Sequence, residues 1–224
     1  DYGCDYRQTS AWAGIHYFAC RDGQAAHAEP DTVLTAPEGN GWIVKRLHER
    51  FRDRLQCGAA TWRIAQDGRG VTADVWLAAE NRAVRFVAEH AIWAAPLFVL
   101  PHVAEALPDN ISAIAKVGTY APWLVANLTL REPPSPGAGA PLAWDNVVYG
   151  GKGLGWIVAT HQWIRQAKPA LTVFTAYHAL DNMPPQAMRA WLTNAPPDAL
   201  LALAQSDLKS AYGGFARHVQ QVDI

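Results

Sequence analysis

The chain has 224 residues, half of them hydrophobic, so it can bury a substantial core in one large domain or two small ones. Its 19 basic and 20 acidic side chains give a formal net charge of -1, which argues against nucleic-acid binding and binding to anionic lipid. The apolar run from Ala91 to Leu100 is far shorter than the roughly 20 residues that span a bilayer. We expect a soluble protein, cytoplasmic or periplasmic, that binds a small molecule and neither nucleic acid nor membrane.

The first half of the chain predicts two helices followed by a β-meander. Apolar residues recur at helical spacing from Thr9 to Arg21 and, with charged residues on the opposite face, from Trp42 to Leu55. The period then changes to two, which predicts strands over 58–64, 71–78 and 83–87. Turns are expected at Asp67-Gly68 and Glu80-Asn81. The apolar segment from Ala91 to Ala95 predicts a further strand, buried on both faces.

The second half predicts a sheet covered by helices. Short helices interrupted by prolines are expected from 97 to 119, and strands over 123–130, 146–149, 156–161 and 171–177. The glycine-rich segment Gly150 to Gly153 is expected to be a turn, and helices are expected over 186–192 and 197–212. The predicted fold class is therefore α+β, with a β-meander plus a mixed β-sheet and covering helices.

Cysteine and histidine spacings give no metal site. Cys4, Cys20 and Cys57 are odd in number and form no C-x-x-C pair, so free buried thiols are expected. His90, His102 and His161 show none of the short spacings of metal ligands. We predict no metal.

Four motifs, in their order along the chain, carry a family resemblance. They are Glu38-Gly39-Asn40-Gly41 before a helix, the meander strand and turn from Thr61 to Gly68, the strand into Ala94-Ala95-Pro96, and the later segment Leu142 to Asn146. From about residue 35 onward the chain resembles flavin-containing amine oxidases and related FAD-dependent oxidoreductases. No Gly-x-Gly-x-x-Gly follows any predicted strand, so the resemblance is to an interior fragment that lacks the N-terminal dinucleotide-binding motif and the C-terminal flavin segment.

The resemblance implies FAD as cofactor and a polypeptide that crosses repeatedly between a FAD-binding domain and a substrate domain. Residues 1–42 are then a helical part of the substrate domain, 43–96 the helix and meander of the FAD-binding domain, and 97–224 the remaining substrate domain. Such a fragment is expected to be inactive alone. Its exposed apolar surface and strand edges predict a homo-oligomer or a swapped dimer.

The resemblance also implies positions for individual residues. Gly39, Asn40 and Gly41 would approach the flavin, Thr61 would lie on the strand that faces the adenine, and Trp42 would project into the substrate cavity. The alternatives are a helix entry that merely needs flexible backbone, and an ordinary strand threonine.

Two further residues are predicted to bind substrate because polar groups at strand ends can converge on a pocket. They are Asn146, next to Asp145, and His161, at the end of an apolar strand. Histidine can act as an acid or base near neutral pH, although a strand-end histidine hydrogen-bonded to a loop is the alternative. No G-x-S-x-G elbow or P-loop occurs, and the catalytic residues remain unassigned.

One position departs from the amine-oxidase pattern. These enzymes commonly carry a lysine on this strand, where it holds a water near the flavin. Here the strand runs from Pro122 to Leu130 and contains no lysine; Lys116 lies earlier in the chain.

The predicted function is FAD-dependent oxidation of an amine or related small molecule by hydride transfer to flavin. The alternative is a non-catalytic binding or interaction domain of the same architecture that holds no FAD.

Overall fold

The computed structural model describes residues 7, 9–20, 27, 36, 38–132, 134, 143–162 and 169–224. The chain divides into two compact units, one formed by Asp1–Trp42 together with Tyr120–Ile224 and the other by Ile43–Thr119. The first unit is therefore interrupted in the sequence by the second. Among the described residues, no helix has the length and apolar character needed to cross a membrane.

The described elements confirm the α+β class. The helices are α1 Ala11–Ala19, α2 Gly41–Phe51, α3 Leu100–Val103, α4 Asp109–Val117, α5 Pro185–Asn194, α6 Pro197–Ala204 and α7 Ser206–Ala211. The strands are β1 Ala59–Asp67, β2 Gly70–Leu77, β3 Arg82–Ala88, β4 Trp123–Arg131, β5 Asp145–Asn146, β6 Trp156–Val158, β7 Leu171–Ala179 and β8 Val219–Asp223.

The predicted β-meander is confirmed in the second unit, where β1, β2 and β3 pair antiparallel in that order. The first turn is closed by the Arg69 N–H, which donates to Asp67 Oδ1 over 2.7 Å. Asn81 makes the second turn with φ of 49°, a left-handed conformation that asparagine tolerates better than most residues.

The strand predicted over Ala91 to Ala95 is wrong. The segment has no regular secondary structure, and Ile92 is 93% exposed. A strand needs a hydrogen-bonding neighbour, and no strand among the described residues pairs with this segment. Its apolar composition is typical of a buried strand, but composition does not supply a partner.

The sheet of the first unit has the order β5-β6-β7-β4-β8, and every described pair of neighbours is antiparallel. The sheet is therefore antiparallel, and the prediction of a mixed sheet is wrong. Side chains of β4 and β7 alternate between buried and open positions, the pattern of an antiparallel sheet with one covered face. The edge strand β8 was not predicted, because its polar residues give little apolar alternation.

The core of the first unit lies between one face of this sheet and helices α5 to α7, which confirms the predicted covering helices. Leu124, Ala126, Leu128 and Leu130 of β4 are all at most 1% exposed. Phe174 of β7 continues this face, and the helices contribute Met188, Ala204 and Leu208. Tyr212 joins the cluster through ring contacts with Trp156, Phe174 and Phe215.

The helices α1 and α2 form as predicted, but their apolar side chains remain largely exposed. Trp12, Ile15 and Phe18 of α1 are 67–70% exposed, and Val44 of α2 is 63% exposed. Cys20 and Cys57 are free thiols as expected, but both are exposed, so their predicted burial is wrong. Cys4 lies outside the described residues.

A charged cluster on β2 stabilises the second unit. The Asp74 carboxylate, on a residue 7% exposed, accepts hydrogen bonds from Arg85 Nε at 2.6 Å and Nη2 at 2.8 Å, and from Arg63 Nη1 at 3.1 Å. Arg63 also donates to Glu105. The hydrogen bonds from Arg85 lower the pKa of Asp74 to about 2 against the opposing effect of burial, and Arg63 adds to the lowering.

We predict that Asp74→Asn lowers the thermal midpoint of the second unit at pH 7, because two arginines lose their shared anion. The folded pKa lies below the ordinary 3.8, so the stabilisation by the carboxylate is complete above about pH 4 and is lost as the pH falls toward 2. Thermal scans at pH 7 and at pH 2 should show this loss of stability in the native chain and a smaller loss in the variant. Asp53→Asn, at an exposed carboxylate, is the control; an equal effect of both variants would contradict the prediction.

We predict that Leu128→Ala costs about 2–5 kcal/mol of unfolding free energy, because it leaves a cavity in the packed sheet face. Val125→Ala, on the same strand but 44% exposed, should cost less than about 1 kcal/mol. Urea unfolding monitored by circular dichroism measures both. Similar losses for the two variants would show that the burial pattern of β4 is incorrect.

Candidate functional site: the open face of the five-stranded sheet

The face of the five-stranded sheet opposite the core carries a group of polar and aromatic side chains. Because successive side chains of a strand point to opposite faces, the residues that alternate with the core leucines of β4 lie together here. We call this surface the open face; it consists of Trp123, Val125, Asn127, Thr129, Asp145, Ile157, Val173, Thr175, Tyr177 and Asp223.

The strand register places polar groups in one row across the open face. Asp145 pairs with Ile157, Ile157 with Thr175, Thr175 with Asn127, and Asn127 with Asp223. The Thr175 hydroxyl donates to Asn127 Oδ1 over 2.8 Å. Four of the five positions in this row carry hydrogen-bonding side chains, so the row can orient a polar ligand.

Tyr177 links the row to an aromatic surface. Its hydroxyl donates to Asp145 Oδ1 over 2.9 Å, and its ring stacks on Trp123 with centroids 6.2 Å apart and an interplanar angle of 8°. Burial, together with the hydrogen bond to Asp145, raises the pKa of Tyr177 to about 12. At neutral pH Tyr177 is therefore a hydrogen-bond donor and not a general base.

The open face is suited to binding and orienting a small molecule more than to covalent catalysis. Its defined residues include no histidine, cysteine, serine or lysine, and its hydroxyl–carboxylate pair, Tyr177 with Asp145, holds the tyrosine in its protonated form. Apolar side chains flank the polar row, which is the combination that binds a ligand with an apolar body and a few polar groups. In the described part of the chain, no three His, Cys, Asp or Glu residues are placed to hold a metal ion.

The two predicted substrate residues at strand ends lie outside the open face. Asn146 follows Asp145 on β5, and its amide accepts from the Ala143 N–H at 3.1 Å and donates to the Ala143 carbonyl at 2.8 Å. These bonds hold the entry to β5. His161 lies beyond the end of β6, in a 3-10 helix over Ala159–Gln162, and is exposed.

The remaining predicted site residues are spread over the two units. Gly39, Asn40 and Gly41 are exposed at the start of α2, and the Trp42 N–H donates to the Gly39 carbonyl at 3.2 Å. Trp42 is 44% exposed. Thr61 belongs to the second unit, where it is exposed on the edge strand β1 beside a register shift.

A buried polar cluster at the loop Gly150 to Gly153 has no counterpart among the functional residues predicted from the sequence. The Asp207 carboxylate accepts the N–H groups of Lys152 and Gly153, each over 2.9 Å. A Cβ at Gly153 would lie 2.6 Å from Cε1 of His178, a residue 2% exposed, so glycine is required there for close approach. The glycine spacing predicted only a turn, because Asp207 and His178 are distant in the sequence.

The imidazole of His178 is held in its neutral form. Burial lowers the pKa of His178, and the nearby Asp207 carboxylate only partly opposes this effect. Its Nδ1 has no hydrogen-bond partner among the described residues. The folded state therefore disfavours protonation of His178 as the pH falls below its ordinary value of 6.5.

We predict that Gly153→Ala destabilises the first unit by about 1–3 kcal/mol, because the added methyl group would overlap His178 and Asp207. Gly213→Ala is the control, since a Cβ there meets no atom within 4 Å. Denaturant unfolding of both variants tests this. Equal stability of the two would mean that the loop does not approach His178 as described.

No protein-family model matches the chain, and no curated protein matches it.

Proposed function

We propose that the chain is part of an FAD-dependent oxidoreductase of the amine-oxidase type. The second unit would contribute to the FAD-binding domain and the first unit to the substrate domain. The reaction is the oxidation of an amine or a related small molecule, with a hydride passing from a C–N or C–H bond to flavin N5.

The observation that carries this proposal is the interruption of one unit by the other. The chain leaves the first unit after Trp42, forms the meander unit over Ile43–Thr119, and returns to the first unit at Tyr120. In the family that the sequence resembles, the polypeptide crosses between its two domains in the same manner. A meander in one unit and a helix-covered sheet in the other support the same assignment.

The residues predicted to hold FAD are compatible with a bound cofactor. Gly39 has φ of +66°, and a Cβ at Gly39 or Gly41 would meet no atom within 4 Å. There is therefore space beside both glycines at this helix entry, where the Gly39 N–H donates to the Ala36 carbonyl at 2.8 Å. Thr61 lies on β1, an edge strand of the described sheet, whose side away from β2 is occupied at Ile64, where the carbonyl accepts the Glu105 N–H at 2.9 Å.

The protein side chains would bind and orient the substrate, while the flavin supplies the electron acceptor. The stacked rings of Trp123 and Tyr177 offer an apolar surface, and the row from Asp145 to Asn127 offers hydrogen bonds. At neutral pH the Tyr177 hydroxyl is protonated and donates a hydrogen bond, because its pKa is about 12. Trp42 is the further substrate contact that the resemblance implies.

The residues of strand β4 bear on the class of substrate. Its open-face positions are occupied by Trp123, Val125, Asn127 and Thr129, and it contains no lysine. The water-holding lysine common in amine oxidases is therefore not on this strand. For this reason the proposal covers related small molecules as well as amines.

We predict that the protein encoded by the complete gene, once purified, shows the visible absorption band of bound flavin, retained or restored by adding FAD. Anaerobic addition of an amine or related substrate should bleach the band, since the reduced flavin absorbs less. Trp42→Ala should lower kcat/KM by about tenfold, which corresponds to about 1.4 kcal/mol of lost binding to the transition state.

Trp76→Ala is the matched control, because Trp76 has a similar exposure of 40% and no proposed role. A colourless protein that takes up no FAD would refute the oxidoreductase assignment and favour the non-catalytic binding domain. A flavoprotein in which both tryptophan variants behave alike would retain the assignment and remove Trp42 from the site.

A further inference from the structure

The first unit contains a cavity on the side of the sheet away from the open face. It has a volume of about 530 Å³ and lies between the end of β7 and the helices α5 and α6. Met183, Met188, Trp191 and Leu203 form its apolar wall. This volume is within the range of about 300–1,000 Å³ typical of small-molecule sites.

Two residues of opposite charge, Lys152 and Asp181, line the same cavity. Lys152 is exposed and Asp181 is half-buried. Within the described ranges of the chain, neither side chain forms a hydrogen bond or an ion pair. The side chain of His178, which is almost completely buried, also lines the cavity.

The balance of charges restricts the chemistry of a ligand. A monoanion would be attracted by Lys152 and repelled by Asp181, and a monocation would experience the reverse. A zwitterion offers an opposite charge to each residue, and an apolar substituent on it would pack against Met188, Trp191 and Leu203. The neutral imidazole of His178 adds no net charge to this balance.

We propose that this cavity binds an α-amino acid with a large apolar side chain, its carboxylate toward Lys152 and its ammonium group toward Asp181. The site is distinct from the one proposed for oxidation. Tyr177 and His178 are consecutive on β7, and alternation places Tyr177 on the open face and His178 on the covered side. The inference therefore does not depend on flavin binding.

The test is isothermal titration of the chain, without added FAD, with three probes that share one ring. L-phenylalanine carries both charges, 3-phenylpropanoate only the carboxylate, and 2-phenylethylamine only the ammonium group. We expect L-phenylalanine to bind most tightly. Removal of one charge from the probe should weaken binding by about tenfold, as for the loss of one charged hydrogen bond.

Single substitutions assign each charge to its partner. Lys152→Met should weaken the binding of L-phenylalanine and 3-phenylpropanoate by about tenfold and strengthen that of 2-phenylethylamine, which loses a repelling charge. Asp181→Asn should weaken the binding of L-phenylalanine and 2-phenylethylamine and strengthen that of 3-phenylpropanoate for the same reason. Lys209→Met and Asp198→Asn remove the same charges from exposed positions outside the cavity lining and should change nothing.

Circular dichroism of each variant establishes that it is folded before titration. Trp191→Ala should weaken the binding of all three probes, because each carries the phenyl ring that packs against the apolar wall. The proposal is overturned if L-phenylalanine binds no more tightly than the singly charged probes, if none of the probes binds, or if the cavity variants and the control variants behave alike.

Discussion

The pairing of β4 with β7 is the constraint on which the first unit depends. These strands pair over nine residues, from Trp123 with Ala179 to Arg131 with Leu171. A shift of one residue would move the core leucines to the open side and the polar row to the core. The burial of Leu124, Leu128 and Leu130 against Phe174 therefore fixes which side chains remain available for a ligand.

The same register separates two environments along β7. Tyr177 hydrogen-bonds to Asp145 on the open face, whereas His178 is buried beside Asp207 and the glycine loop. Burial changes the pKa of each side chain in the direction that favours its neutral form, upward for tyrosine and downward for histidine. One strand thus supports a hydrogen-bonding surface on one side and, on the other, a cavity lined by apolar and charged residues.

In the second unit the comparable constraint is electrostatic. Asp74 is nearly buried on the central strand of the meander, and Arg63 and Arg85 satisfy it from β1 and β3. Arg63 extends the cluster to Glu105, which follows α3. A buried carboxylate with these bonds specifies how the three strands pair, since an unpaired charge at this position would be costly.

The sequence by itself determined the helices α1 and α2, the meander with its two turns, and the strands β4 and β7, because apolar periodicity and turn residues are local signals. It did not determine strand direction, the edge strand β8 or the failure of Ala91 to Ala95 to pair, because hydrogen-bonding partners come from distant parts of the chain. Asn146 and His161 were predicted to converge with other polar groups, but neither lies on the open face. Only the tertiary structure brought Lys152 and Asp207 to His178, because their proximity follows from packing helices on the sheet and from no spacing in the sequence.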